Sequence, residues 1–159
     1  MWAESEAADG KLSNAQVTSW RERGFVLVHG LLPEALLETI AADAADHFPT
    51  PGSERAEQIT NFGSNQHFVF PTDSRAYNEI TLHPSLLGAV ATLLDQPVNA
   101  IRLTQSDLWP KYGRAASARD NDNHDQRIHC DYPNHSLTHP PPWDCPEAVE
   151  IIIYLSDFD

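Results

Sequence analysis

The chain has 159 residues, 41% hydrophobic and 9% aromatic, which suits one ordinary domain with a sizeable core and excludes a wholly disordered chain. Ten Lys and Arg against 23 Asp and Glu give a formal net charge of −13. Such a surface repels phosphate backbones and anionic lipid, so neither nucleic acid nor membrane is expected as a partner.

No apolar run approaches the roughly 20 residues that a membrane-spanning helix needs. The start of the chain carries Glu4 and Glu6 where a signal or transit peptide would carry base, so a soluble, cytoplasmic protein is expected. Two cysteines, Cys130 and Cys145, cannot build a disulfide framework and are expected as thiols.

Residues 1–12 read as a flexible acidic tail and residues 13–159 as a single domain. Ser13 or Asn14 caps a short helix through Val17, Trp20 and Arg21, and Gly24 stands where a helix end favours a left-handed residue. Phe25-Val26-Leu27-Val28-His29 predicts a strand. Pro33 suits the first position of the next helix, which carries Leu36, Leu37, Ile40 and Ala44 as an apolar stripe. Residues 50–66 are polar and punctuated by Pro51, Gly52 and Gly63, which predicts a long loop.

His67-Phe68-Val69-Phe70 predicts a further strand. Asp73 or Ser74 starts a helix through Tyr77 and Ile80, and Pro84 opens another through Leu86, Val90, Leu93 and Leu94. From Ala100 to Trp109 a mixed alternation, Ala100, Arg102, Thr104, Ser106 and Leu108 against Ile101, Leu103, Gln105, Asp107 and Trp109, suits a strand with one face toward a polar interior. A charged loop follows, then a strand over residues 126–131 and a proline-rich stretch with Pro140-Pro141-Pro142. Residues 149–155, Val-Glu-Ile-Ile-Ile-Tyr-Leu, have the strongest strand composition in the chain. Helices first and strands later predict an α+β fold.

Four of the eight histidines, His124, His129, His135 and His139, fall in one segment around His129-Cys130-Asp131. On a strand, side chains at i and i+2 leave the same face about 6.6 Å apart along the chain. An imidazole and a carboxylate held so converge on one metal ion, with Cys130 on the opposite face. A His, an Asp two residues on and a second His from elsewhere form the facial triad of non-haem Fe(II) oxygenases, which leaves three positions open for cosubstrate and O2. The bland alternative for so short a pattern is a solvated loop histidine beside an aspartate.

Residues 126–135, Gln126-Arg127-Ile128-His129-Cys130-Asp131-Tyr132-Pro133-Asn134-His135, resemble the iron-binding stretch of the phytanoyl-CoA dioxygenase family. Gly24-Phe25-Val26-Leu27-Val28-His29-Gly30-Leu31-Leu32-Pro33 resembles its N-terminal strand-then-helix pattern. Residues 149–159, ending Tyr154-Leu155-Ser156-Asp157-Phe158-Asp159, resemble the strand after its His-x-Asp pair. The resemblance implies an Fe(II)/2-oxoglutarate-dependent oxygenase on a double-stranded β-helix, or jelly-roll, with an N-terminal helical layer. It makes His129 and Asp131 two of the iron ligands, 2-oxoglutarate the cosubstrate and a small organic molecule the substrate.

The family's second iron-binding histidine and its arginine for the far carboxylate of 2-oxoglutarate lie on later strands, beyond Asp159. The expectation is thus the N-terminal part of a jelly-roll: a fragment, a barrel completed by a partner, or a catalytically silent form. His135 and His139 are candidate substitutes for the third ligand. Zn(II) held by His129, Asp131 and one of these two is the competing metal site, and a silent binding or regulatory module that self-associates through a sheet edge at residues 149–155 is the non-enzymatic reading.

Gln105 is the candidate cosubstrate contact by resemblance, with a solvated sheet face as its alternative. Lys111 is a carboxylate attractor or a solvated charge. Trp109 and Tyr132 line a pocket or simply pack. Arg127 supports the metal pair or forms a surface ion pair, and Cys130 is a small buried hydrophobe or a redox-sensitive thiol.

Overall fold

The computed structural model describes residues 5–6, 10–58, 68–112 and 146–156. Within them five helices and four short strands make a mixed α+β arrangement, as the sequence predicts. Strand β1 (Ser5–Glu6) pairs in parallel with β2 (Val28–His29), Ser5 opposite Val28. Strand β3 (Phe68–Val69) pairs antiparallel with β4 (Asp107–Leu108), Phe68 opposite Leu108 and Val69 opposite Asp107. A closed jelly-roll is not visible among the described residues, whose strands form two sheets of two strands each.

Helix α1 (Asn14–Arg23) begins where its cap chemistry places it. The Ser13 hydroxyl accepts from the Gln16 amide N–H at 3.2 Å, and the Gln16 side-chain oxygen accepts from the Ser13 N–H at 2.7 Å. This reciprocal box satisfies two backbone donors that a helix start otherwise leaves orphaned. It also gives the side-chain oxygen and the backbone N–H of Gln16, which is 1% exposed, their partners. Gly24 closes the helix at φ 82°, and its N–H reaches the Trp20 carbonyl.

Helix α2 (Glu34–His47) starts one residue later than predicted, with Pro33 at the cap instead of the first helical position. Ile40 is 1% exposed and sits with Ala76, Tyr77 and Ile80 at the centre of the core. Leu32, Leu36, Leu37, Phe68, Phe70, Leu108, Ile153 and Leu155 pack around that centre. The stretch predicted as a long loop contains one helical turn, α3 (Glu54–Glu57), because Ser53 accepts from the Ala56 N–H at 3.2 Å.

Helices α4 (Arg75–Thr81) and α5 (Pro84–Leu94) follow the predicted boundaries. Ser74 caps α4 by accepting from the Tyr77 N–H at 3.1 Å while donating to the Asp43 carboxylate at 2.6 Å. One hydroxyl therefore starts α4 and ties it to α2. In α5, Leu86, Ala89 and Leu93 are buried at helical spacing.

Three predicted strands are shorter than the composition suggests. Residues 25–29 contribute only Val28 and His29 to a ladder, and residues 100–109 only Asp107 and Leu108. Residues 149–155 form no regular strand, yet Ile153 and Leu155 turn to the core while Ile152 and Tyr154 stay 64% and 56% exposed. Composition sets which side chains prefer a half-buried surface; a ladder also needs a neighbour in register, which no local pattern encodes.

Candidate functional site

The segment 105–112 has two sides, and the packing distinguishes them. In β3 and β4 the opposed pair Phe68 and Leu108 lies in the core, so the next pair, Val69 and Asp107, faces away from it. Ser106 shares the inward side. Its hydroxyl lies 2.8 Å from the Tyr77 hydroxyl and 3.0 Å from the Thr81 hydroxyl. On the outward side Gln105 donates its side-chain amide to the Asp107 carboxylate. The predicted alternation thus holds over residues 105–108, whereas Arg102, Leu103, Thr104 and Gln105 are all exposed.

Counting protons gives the inward cluster a direction. Thr81 spends its one hydroxyl proton on the Tyr77 carbonyl, at 2.9 Å. It can then only accept from Ser106, and Ser106 can only accept from Tyr77. The chain runs from the Tyr77 O–H to Ser106, to Thr81 and back to the carbonyl of the same tyrosine. Burial pushes the Tyr77 phenol above its ordinary value, and the neighbouring Asp107 carboxylate adds to the rise. A neutral phenol is what the chain requires of its first donor.

Tyr112 secures the other end of the segment. Its hydroxyl donates to the Pro49 carbonyl at 2.5 Å, just past the end of α2. Burial raises this phenol too, with the Arg55 charge pulling the other way. Aromatic rings complete the support: Phe68 lies 4.5 Å from His47, 5.8 Å from Phe48 and 5.9 Å from Tyr77, centroid to centroid. Helices α2 and α4 therefore hold β3 and β4 by rings on one strand and hydroxyls on the other.

The predicted site residues divide accordingly. Gln105 is exposed and Asp107 half-buried, joined on the outward side; Trp109 is half-buried and Lys111 exposed. His129 and Asp131 lie outside the described residues, as do His124, Arg127, Cys130, Tyr132, His135, His139 and Cys145. Among the described residues no group of three or more His, Cys, Asp or Glu is placed to hold a metal ion. No described helix is long and apolar enough to cross a membrane.

Sequence reading did not single out the Tyr77, Thr81 and Ser106 cluster. The helical half carries a signal, two hydroxyl residues four apart on one face of a helix. Their partner, 25 residues further on from Thr81, carries none. A search of curated proteins and a search of solved structures each return no match. The family model described as Phytanoyl-CoA dioxygenase (PhyH) matches residues 20–159.

Proposed function

The chain belongs to the phytanoyl-CoA dioxygenase family, and on that premise we propose that it performs non-haem Fe(II)/2-oxoglutarate-dependent oxygenation of a small organic substrate. The observation that carries the proposal is His129-Cys130-Asp131 within the matched residues 20–159. The donor set suits the metal: a neutral imidazole and one hard carboxylate bind Fe(II) while neutralising only part of its charge. When bound, Fe(II) and 2-oxoglutarate supply an oxidative decarboxylation that places one atom of O2 in succinate, releases CO2 and places the other in a substrate C–H bond.

His129 and Asp131 would hold the iron, and His135 or His139 is the candidate third ligand on this chain. Gln105 is the proposed cosubstrate contact; its exposed amide and the adjoining Asp107 carboxylate stand on the side of β4 turned from the helices. Residues 13–159 are proposed as one unit, the N-terminal part of a jelly-roll whose helical layer is α1–α5.

The full-length protein, supplied with Fe(II), 2-oxoglutarate and O2, should form succinate, and Asp131→Ala should lose at least 100-fold of that activity. Equal turnover in the variant refutes the assignment. The exposed Ile152 and Tyr154 favour a second reading, a metal-independent binding module that self-associates. That reading requires a concentration-dependent increase in mass by light scattering, unchanged by chelator.

A further inference from the structure

Helices α4 and α5 meet at a corner of two residues, Leu82 and His83, and His83 holds both helices. Its backbone N–H donates to the Ile80 carbonyl at 3.1 Å, and its carbonyl accepts from the Leu87 N–H at 3.0 Å. Its ring caps α5. Pro84 has no N–H, so Ser85 carries the first orphan donor of that helix. This N–H donates to His83 Nδ1 at 3.2 Å. An asparagine, serine or threonine cap accepts at any pH. An imidazole accepts only while neutral, because the imidazolium has two N–H donors and no acceptor. Its charge would also stand at the positive end of the α5 dipole.

The same serine seats the N-terminal segment. Ser5 and Glu6 pair with β2, and a few residues on, Gly10 lies against Ser85 at φ 66°. A Cβ added to Gly10 would overlap the Ser85 hydroxyl and come within 3.2 Å of the Ser85 Cβ. The close approach and the positive φ both call for glycine here. Ser85 thus meets His83 through its N–H and the N-terminal strap through its side chain.

We propose that His83 is a pH-sensitive latch: its neutral ring holds the first turn of α5, and with it the Ser85 seat of the N-terminal strap, and protonation loosens both. The latch is independent of the oxygenase reading. Helix α1 and a 3-10 turn (Val98–Ala100) pack against α5. The charged groups on and beside these elements are Arg21, Glu22 and Arg23 of α1, Arg75 and Glu79 of α4, Asp95 past the end of α5, Arg102 past the turn, and Glu6 and Lys11 of the strap. Lys11, Arg21, Glu22, Arg23, Arg75, Glu79, Asp95 and Arg102 are exposed and screened by solvent. Among the described residues the His83 ring is joined to Ser85 and to no charged group.

The test is amide hydrogen exchange by NMR on the full-length protein, His83→Asn and Gly10→Ala between about pH 5 and 8, where histidine titrates. The quantity read is the ratio of the wild-type rate to the His83→Asn rate at each pH. The intrinsic pH dependence of exchange cancels in it, and the other histidines titrate alike in both proteins. From pH 8 to pH 5 the ratio at Ser85 should rise about tenfold, for a lost cap together with a cation at the helix start. The ratio at Ser5, Glu6, Val28 and His29 should rise with the same midpoint. Gly10→Ala should speed exchange at those four amides at every pH while Ser85 keeps its response. A level ratio at Ser85 overturns the latch, and a rise at Ser85 with level strap amides overturns its link to the strap. Should His83→Asn fail to fold, His83→Asp takes its place, an equally good cap that keeps one charge across this range.

Discussion

Replacing Ser106 by alanine should cost more stability than replacing Tyr77 by phenylalanine, although both remove one hydroxyl. Tyr77→Phe deletes the first donor of the chain. Ser106 still donates to Thr81, and no buried donor is left without an acceptor, so the loss is about 1 kcal/mol, one net hydrogen bond. Ser106→Ala deletes the middle member and both of its bonds, at 2.8 and 3.0 Å. It also leaves the Tyr77 O–H, on a residue 5% exposed, with a proton and no acceptor. Two lost bonds and an orphaned donor total about 3–4 kcal/mol. In the double variant the orphan is gone, so it should be no less stable than Ser106→Ala alone. Urea unfolding of the four proteins, with equal m-values as the check on two-state behaviour, gives the cycle. Additive losses, or a larger loss for Tyr77→Phe, would refute the direction assigned to the chain.

Two further outcomes follow from the same packing. Tyr77 and Tyr112 both have phenols raised by burial, so the folded protein keeps its protons where the unfolded chain has lost them. Their contribution is intact below about pH 10 and disappears as pH climbs through the folded values; Tyr77→Phe should flatten this alkaline fall in a series of melts. Ser74→Ala removes the α4 cap and its 2.6 Å bond to Asp43 together, and should cost about 1–2 kcal/mol by urea unfolding, more than an isolated cap at an exposed site.

What could be read from the sequence was local. Ser13, Gly24, Ser74 and Pro84 mark helix ends because a cap is chosen within three or four residues, and each marks the end it predicts. Pro33 falls one position early because a fixed φ near −62° suits the cap as well as the first turn. The apolar stripes of α2 and α5 identify Ile40, Leu86 and Leu93 as buried for the same local reason. Strand length was not legible, since a ladder depends on a partner far away in the chain. Ser106 looks like any polar residue of an alternating strand; only the arrival of Tyr77 and Thr81 gives it a role. The His129 and Asp131 pair is the reverse case, legible through spacing and resemblance and outside the described residues.

The opposed sides of β4 also govern how this part of the chain can change in length. Inserting one residue between Ser106 and Asp107 would exchange the two sides beyond the insertion. A residue inserted in that interval must therefore be absorbed as a bulge or compensated nearby, or it would drive a carboxylate among the apolar side chains around Ile40. Substitution at Asp107 leaves the two sides of the strand in place, as insertion beside it does not. Across relatives, this short stretch should hold its residue count more strictly than its residue identities.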